Sequence, residues 1–281
     1  MMKVGKNQIH ERRAVGGLIA AIWLMLMFQG CAEVPITQRK GLHLVPETEL
    51  LSMSFQQYND VLKKSKLSTD TRKVEMVRRV GIRIAKSAET FLTETGQQDK
   101  IKNYKWEFNL IEEDKTVNAW VMPGGKAAVY TGILPFTQNE TGLAVVLGHE
   151  VAHALADHGN ERMSEALVAN MGGMALSVAL SQRPQQTQQL FMKVYGVGAN
   201  VGFLLPYSRL HESEADRIGL TLMARAGYDP REAIPFWQRM SSQEGQRPPQ
   251  LLSTHPAPET RVADIKKYLP EALPYFDKKA K

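Results

Sequence analysis

The stretch "VVLGHEVAHALADHG", residues 145–159, sets histidines and a glutamate in a run otherwise made almost wholly of Val, Leu, Ala and Gly. An ionisable group left unpartnered in apolar surroundings costs several kcal/mol, so these groups either face water or are bound by something. His149 and His153 lie four residues apart, which on a helix puts them side by side on one face. Two imidazoles so placed can take two corners of a tetrahedral zinc. Glu150 then lies beside the metal rather than on it, where it can act as general base toward a water that the zinc acidifies. The expected cofactor is one Zn2+ per chain.

A third ligand must come from elsewhere. The metzincin layout would need glycine at 156 and histidine at 159, but the chain has Ala156 and Gly159. The segment "HESEADRIG", residues 211–219, offers Glu212 and Asp216 four apart. Helical phase clusters Glu214, Arg217, Thr221 and Arg225 on one polar face. Glu212 and Asp216 fall on the other side with Ala215, Gly219, Leu222 and Met223. Glu212 is therefore the expected third ligand, and Asp216 the acceptor that fixes a ligand histidine, His149, in one tautomer. His158, nine residues beyond His149, is half a turn out of phase and reads as a surface histidine at a helix end.

Around this centre the pattern is α+β and mostly helical, with a small sheet beside the HExxH helix. Ser68 and Asp70 cap a helix whose apolar stripe is Val74, Val77, Val80, Ile84, Ala88 and Phe91. "YKWEFNLIE" alternates as a strand, and "VNAWVMPGGKAAVYTGIL" reads as strand, turn at Pro123-Gly124-Gly125, and strand. Residues 163–180 suit a buried helix, 181–189 a polar break, and 208–226 a second long helix. An extended, proline-flanked loop and a short helix close the chain.

The first thirty residues carry Lys3, Lys6, Arg12 and Arg13 against Glu11, then an apolar run at 14–28 ending in "QGC". Fifteen residues is short of the roughly 18–20 of a transmembrane helix and suits an export signal. Cys31, the only cysteine, resembles the acylated residue of a bacterial lipobox; an ordinary signal or an uncleaved anchor are the alternatives. Residues 1–30 are thus expected as a lipoprotein signal peptide, 31–46 as a polar tether, and 47–281 as one metallopeptidase domain. Net charge is +6, half of it in that leader, and there is no aromatic-plus-basic platform, so nucleic acid is excluded as a partner.

HExxH with a downstream ExxxD resembles the gluzincin group. "GHEVAHALADHGNER", "NAWVMPGG", "YSRLHESEADRIGL" and "LSTHPAPETR", in that order, resemble metallopeptidase family forty-eight, the HtpX and CAAX prenyl endopeptidase family. With a lipobox and no spanning helices, the chain is similar to its small periplasmic lipoprotein branch, the LoiP-like members that lack a tetratricopeptide array. The resemblance implies a zinc endopeptidase held on the outer membrane through lipid on Cys31, facing the periplasm and cleaving unfolded or misassembled envelope proteins. It implies an edge strand at Asn118, Ala119 and Trp120 that pairs with extended substrate, and a regulatory histidine, His255, able to cap the zinc. A lipid-anchored chaperone or assembly factor with low, His255-gated proteolysis is the rival reading. Arg209 and Arg261 match family arginines without a definite task, and Asn118 or Tyr207 are the options for stabilising an oxyanion.

Overall fold

A computed structural model of the protein describes residues 31–171, 184–195, 207–242, 250–255 and 260–279. The proposed signal peptide, residues 172–180 of the buried helix, and most of the glycine-interrupted stretch at 194–209 lie outside them. In chain order the elements are β1 (Cys31–Glu33), β2 (Lys40–Leu42), α1 (Glu47–Lys64), α2 (Thr71–Glu94), β3 (Glu107–Ile111), β4 (Ala119–Met122) and β5 (Lys126–Tyr130). There follow α3 (Glu140–Leu155), α4 (His158–Met171), α5 (Pro184–Tyr195), α6 (Arg209–Arg225), α7 (Ala233–Ser241), α8 (Gln250–Thr254) and α9 (Arg261–Lys279).

The helices that matter most begin where their caps dictate. Asp70 accepts from the Lys73 amide, Asn139 from those of Thr141 and Gly142, and Ser208 from that of His211. Along α2, Val77, Val80, Ile84 and Ala88 are fully buried, the expected stripe. Every residue of α3 from 142 to 155 is buried, so this helix runs through the centre of the domain rather than along its surface.

The three-stranded sheet has the order β3-β5-β4, with β5 parallel to β3 and antiparallel to β4. Gly124 and Gly125, at φ +82 and +79, make the turn between β4 and β5 that only glycine enters freely. The sheet alternation sends Ala119 and Val121 toward the main core and Trp120 and Met122 toward Tyr58 of α1. β4 therefore lies between two helical layers, and its outer edge pairs with no strand among the described residues.

At three places the fold departs from expectation. The stretch expected as a tether folds back as the β1–β2 hairpin and continues as a strap on α4. Val34 and Val45 are buried, the Leu44 amide donates to Ser164, and Asn160 exchanges hydrogen bonds with both backbone groups of Val45. Thr37 and Arg39 read as solvated because their partners, Glu161 and Glu214, lie more than a hundred residues on. The polar break at 181–189 contains the start of α5, with Pro184 at its first position. Leu190, Phe191 and Val194 form that helix's apolar stripe against Met163 and Leu167. The closing helix is long rather than short, because Ile265, Leu269 and Ala272 keep one buried stripe in phase despite Pro270 and Pro274.

α3 and α6 cross at Gly148 and Gly219, where a Cβ added to Gly219 would meet Gly148 C and His149 N at 2.9 Å. Backbone atoms cannot swing aside, so Gly219→Ala should destabilise the fold by about 1–3 kcal/mol. Thermal denaturation should register this as a midpoint lower by roughly 2–10 °C.

Candidate metal centre

One turn separates His149 and His153 on α3, and their Nε2 atoms face each other at 3.1 Å. Glu212, in the first turn of α6, brings Oε2 to 3.3 Å from His149 Nε2 and Oε1 to 3.3 Å from His153 Nε2. His255, the residue after α8, places Nδ1 2.9 Å from Glu212 Oε1 and 3.3 Å from His149 Nε2. All four side chains are buried, and their candidate ligand atoms lie within 4.8 Å of one another. Zinc bonds of about 2.0–2.1 Å to four tetrahedral ligands imply ligand–ligand separations of roughly 3.3–3.4 Å. The observed 2.9–3.3 Å edges and the imidazole-plus-carboxylate donor set fit that ion.

Behind the ligands stands a charged layer. His149 Nδ1 donates to Asp216 Oδ1 at 2.9 Å, and Arg261 donates to Asp216 at 2.7 Å and to Glu212 Oε2 at 3.1 Å. The Arg261 guanidinium lies 3.4 Å above the centre of the Trp237 ring, so it is buried yet doubly partnered. Burial alone would lower the pKa of His149, but the Glu212 charge and the Asp216 and Glu212 hydrogen bonds outweigh it and carry it up to about 9. Burial pushes His153 well below its ordinary value. Glu212 goes well below its ordinary range although burial opposes this, because the His255 and His149 charges prevail.

Glu150 is also buried. Its Oε1 accepts no hydrogen bond and lies 3.5 Å from His255 Nε2. Desolvation raises its pKa above the usual carboxylate value. It opens on a narrow cavity of about 50 Å³ lined by Asn118 and the whole of β4 on one side and by Tyr207 and His255 on the other. A buried carboxylate with spare acceptor capacity, next to a metal-type ligand set and a strand edge unpaired among the described residues, is equipped for proton transfer.

The model of peptidase family M48 matches residues 83–269, well over half of the 281. The chain belongs to peptidase family M48. Among curated relatives it is similar to the mitochondrial metalloendopeptidase OMA1 of Schizosaccharomyces pombe, 41% identical over 174 residues, or 61% of this chain and 49% of the relative. The human mitochondrial metalloendopeptidase OMA1 is 34% identical over 179 residues, 62% of this chain and 34% of the relative. The beta-barrel assembly-enhancing protease of Escherichia coli K12 is 30% identical over 165 residues, 57% of this chain and 33% of the relative. The chain thus spans half or less of the length of each of these relatives.

Within this M48 centre the structure brings together every residue expected there: His149, Glu150, His153, Glu212, Asp216 and His255, with Asn118, Ala119 and Trp120 alongside. Arg261 gains a position that the sequence did not assign, and Arg209 is exposed. Two expectations fail. His158 is wholly buried, not on the surface. The α3 helix ends at Leu155, Asp157 adopts φ +53, and α4 starts at His158, so phase extrapolated through the break misplaces it. His158 instead faces His153, Nδ1 to Nδ1 at 2.8 Å. Glu214 is buried too, because the β1–β2 hairpin and α4 cover the face that Arg217 leaves toward Glu271 of α9.

That cover is built on charge. Arg39 of the hairpin makes two 2.7 Å bonds to Glu161 and a 2.9 Å bond to Glu214, and Thr37 donates to Glu214. Burial opposes ionisation of both carboxylates. The His211 and Arg39 hydrogen bonds to Glu161, and those of His158, Arg39 and Thr37 to Glu214, nonetheless hold each at about 2. Both are depressed from 4.5, so their stabilisation is complete above about pH 4.5 and disappears as pH falls toward about 2. Arg39→Met should be less stable than the wild type at pH 7, and denaturant titrations should find the gap closing between about pH 4.5 and 2. At the metal itself, Asp216→Asn should weaken zinc binding by roughly 10–100-fold, measured by competition with a chromophoric chelator.

Proposed function

We propose that this chain is a zinc-dependent endopeptidase of the bacterial envelope that cleaves unfolded or misassembled proteins there. The observation that carries the peptidase reading is Glu150, a buried carboxylate with an open acceptor site between a His-His-Glu ligand set and the β4 edge, which pairs with no strand among the described residues. His149, His153 and Glu212 would hold the zinc, with Asp216 fixing His149. A zinc ion held there supplies Lewis acidity, acidifying a water and polarising the scissile carbonyl. Extended substrate adds to the outer edge of β4, with backbone hydrogen bonds along Asn118, Ala119 and Trp120 setting its register. Glu150 takes a proton as the water oxygen bonds to the carbonyl carbon. It then delivers that proton to the amide nitrogen as the carbon–nitrogen bond breaks.

The cellular setting rests on the leader. A lone Cys31 directly behind an apolar run and a glycine supports lipidation and retention on the periplasmic face of the outer membrane, as in the LoiP-like lipoproteins. The beta-barrel assembly-enhancing proteases among the relatives support that reading, while the OMA1 relatives are named as mitochondrial. Residues 1–30 are then a signal peptide, and the rest is one unit, hairpin included. Among the described residues no helix is long and apolar enough to cross a membrane.

His255 favours a second feature, latency. Catalytic zinc sites keep one position open, whereas four protein ligands close the shell. With Nδ1 2.9 Å from Glu212, His255 would serve as a fourth zinc ligand and so hold the position a substrate water needs. Low, His255-gated proteolysis in an assembly factor is therefore a variant of the same reading.

Casein digestion by the purified protein tests both. Glu150→Gln should lose at least about 10²-fold in kcat while retaining zinc, and His255→Ala should cut faster than the wild type. Absence of zinc-dependent cleavage in every variant would remove the peptidase reading, and an unchanged His255→Ala rate would remove the gate. Cys31→Ala should shift the protein from the membrane fraction to the soluble periplasm; retention in the membrane would defeat the lipid anchor.

A further inference from the structure

The two histidines of the HExxH helix differ in what stands behind them. His149 reaches a carboxylate directly through Nδ1, and that carboxylate, Asp216, is held by Arg261. His153 has no carboxylate at Nδ1; it has the ring of His158 at 2.8 Å. The far nitrogen of His158, Nε2, lies 3.0 Å from Glu214 Oε2. Arg39 and Thr37 of the β1–β2 hairpin bind Glu214 in turn.

The hydrogen-bond order along this line follows from chemistry. His153 turns Nε2 toward His149 and Glu212, so as a neutral ligand its proton is on Nδ1. His158 Nδ1 must then accept a hydrogen bond from His153 Nδ1–H, and its own proton is on Nε2, donated to Glu214. Glu214 accepts from His158, from Arg39 and from the Thr37 hydroxyl. His158 is 0% exposed, so water cannot take its place. Its ring stacks on His211 at 4.4 Å, and His211 contacts Glu161, which receives the other two bonds of Arg39.

We propose that His158 and Glu214 are positioning residues for the metal ligand His153, and that the β1–β2 hairpin, which begins at Cys31, locks this relay through Arg39. The inference deepens the zinc reading and rests on it. It makes the two ligand histidines equivalent in outline: each ends on a carboxylate clamped by an arginine, directly for His149 and through a second imidazole for His153. It also makes metal retention depend on a segment far from the active site in sequence. A hairpin pulled off α4 would leave Glu214 without its cation and His153 without a fixed tautomer.

The test uses the full-length protein in detergent, with zinc affinity from chelator competition and the visible spectrum of the cobalt-substituted form. His158→Leu should weaken zinc binding roughly 10–100-fold and alter the cobalt bands. His158→Gln offers an amide oxygen to His153 and an amide N–H to Glu214, and should bind at least about tenfold more tightly than His158→Leu. Arg39→Met should weaken binding in the same direction, and should add nothing further in the His158→Leu background. Wild-type affinity in His158→Leu, or equal loss in the Gln and Leu variants, would overturn the relay. Independent, additive losses from Arg39→Met and His158→Leu would overturn the hairpin's part. Should His158→Leu fail to fold, wild-type affinity in Arg39→Met decides against the proposal. A wild type that binds no zinc is a separate result, and it would remove the metal reading before any variant is compared.

Discussion

Two helix backbones touch at Gly148 and Gly219, and the histidines of one helix meet the carboxylates of the other only because nothing larger than hydrogen separates them. Glu212 and Asp216 fall short of His149 if that crossing widens. From residue 142 onward every residue of α3 is buried, so His149, Glu150 and His153 do not face bulk water. They must be satisfied inside the protein, and the close crossing supplies the means. The sheet, the closing helix and the hairpin can all be understood as packing that holds this contact in place.

Electrostatics in such a centre follows from burial more than from distance. Desolvation is the largest influence on each group: it carries His153 down and makes Glu150 a weaker acid, whereas charged neighbours overcome it at His149, which goes up, and at Glu212, which stays charged. Glu150 and Glu212 thus diverge although both are buried glutamates a few ångströms from the same imidazoles. One is surrounded by donors and suits a ligand; the other keeps a free oxygen and suits a base. The arginines extend the pattern outward, since Arg261 and Arg39 each neutralise two carboxylates in places where an unpaired charge would be prohibitive.

Access to this centre is limited by the same packing. The cavity beside Glu150 is small and is lined by β4, whose outer edge is unpaired among the described residues, and by Tyr207 and His255. An edge strand left bare in the middle of a fold would ordinarily invite aggregation. Among the described residues that edge lines the narrow cleft beside Glu150.

Much of this was legible in the amino-acid order. The spacing of His149 and His153, the phase of Glu212 and Asp216, the caps at Asp70 and Ser208 and the glycine turn at 124–125 depend on neighbours within a helical turn or two, and local periodicity is the quantity a sequence records directly. The β1–β2 hairpin, the burial of His158 and Glu214, and the parallel pairing of β3 with β5 were not. Each depends on a partner from beyond the local helical turn, seven or more residues away, or on a break in helical phase. A polar side chain reads as solvated until the segment that covers it is known. The sequence by itself therefore determined which residues could bind a metal, and the tertiary structure decided which polar groups stand behind them, because burial is a property of the packed whole and not of any one segment.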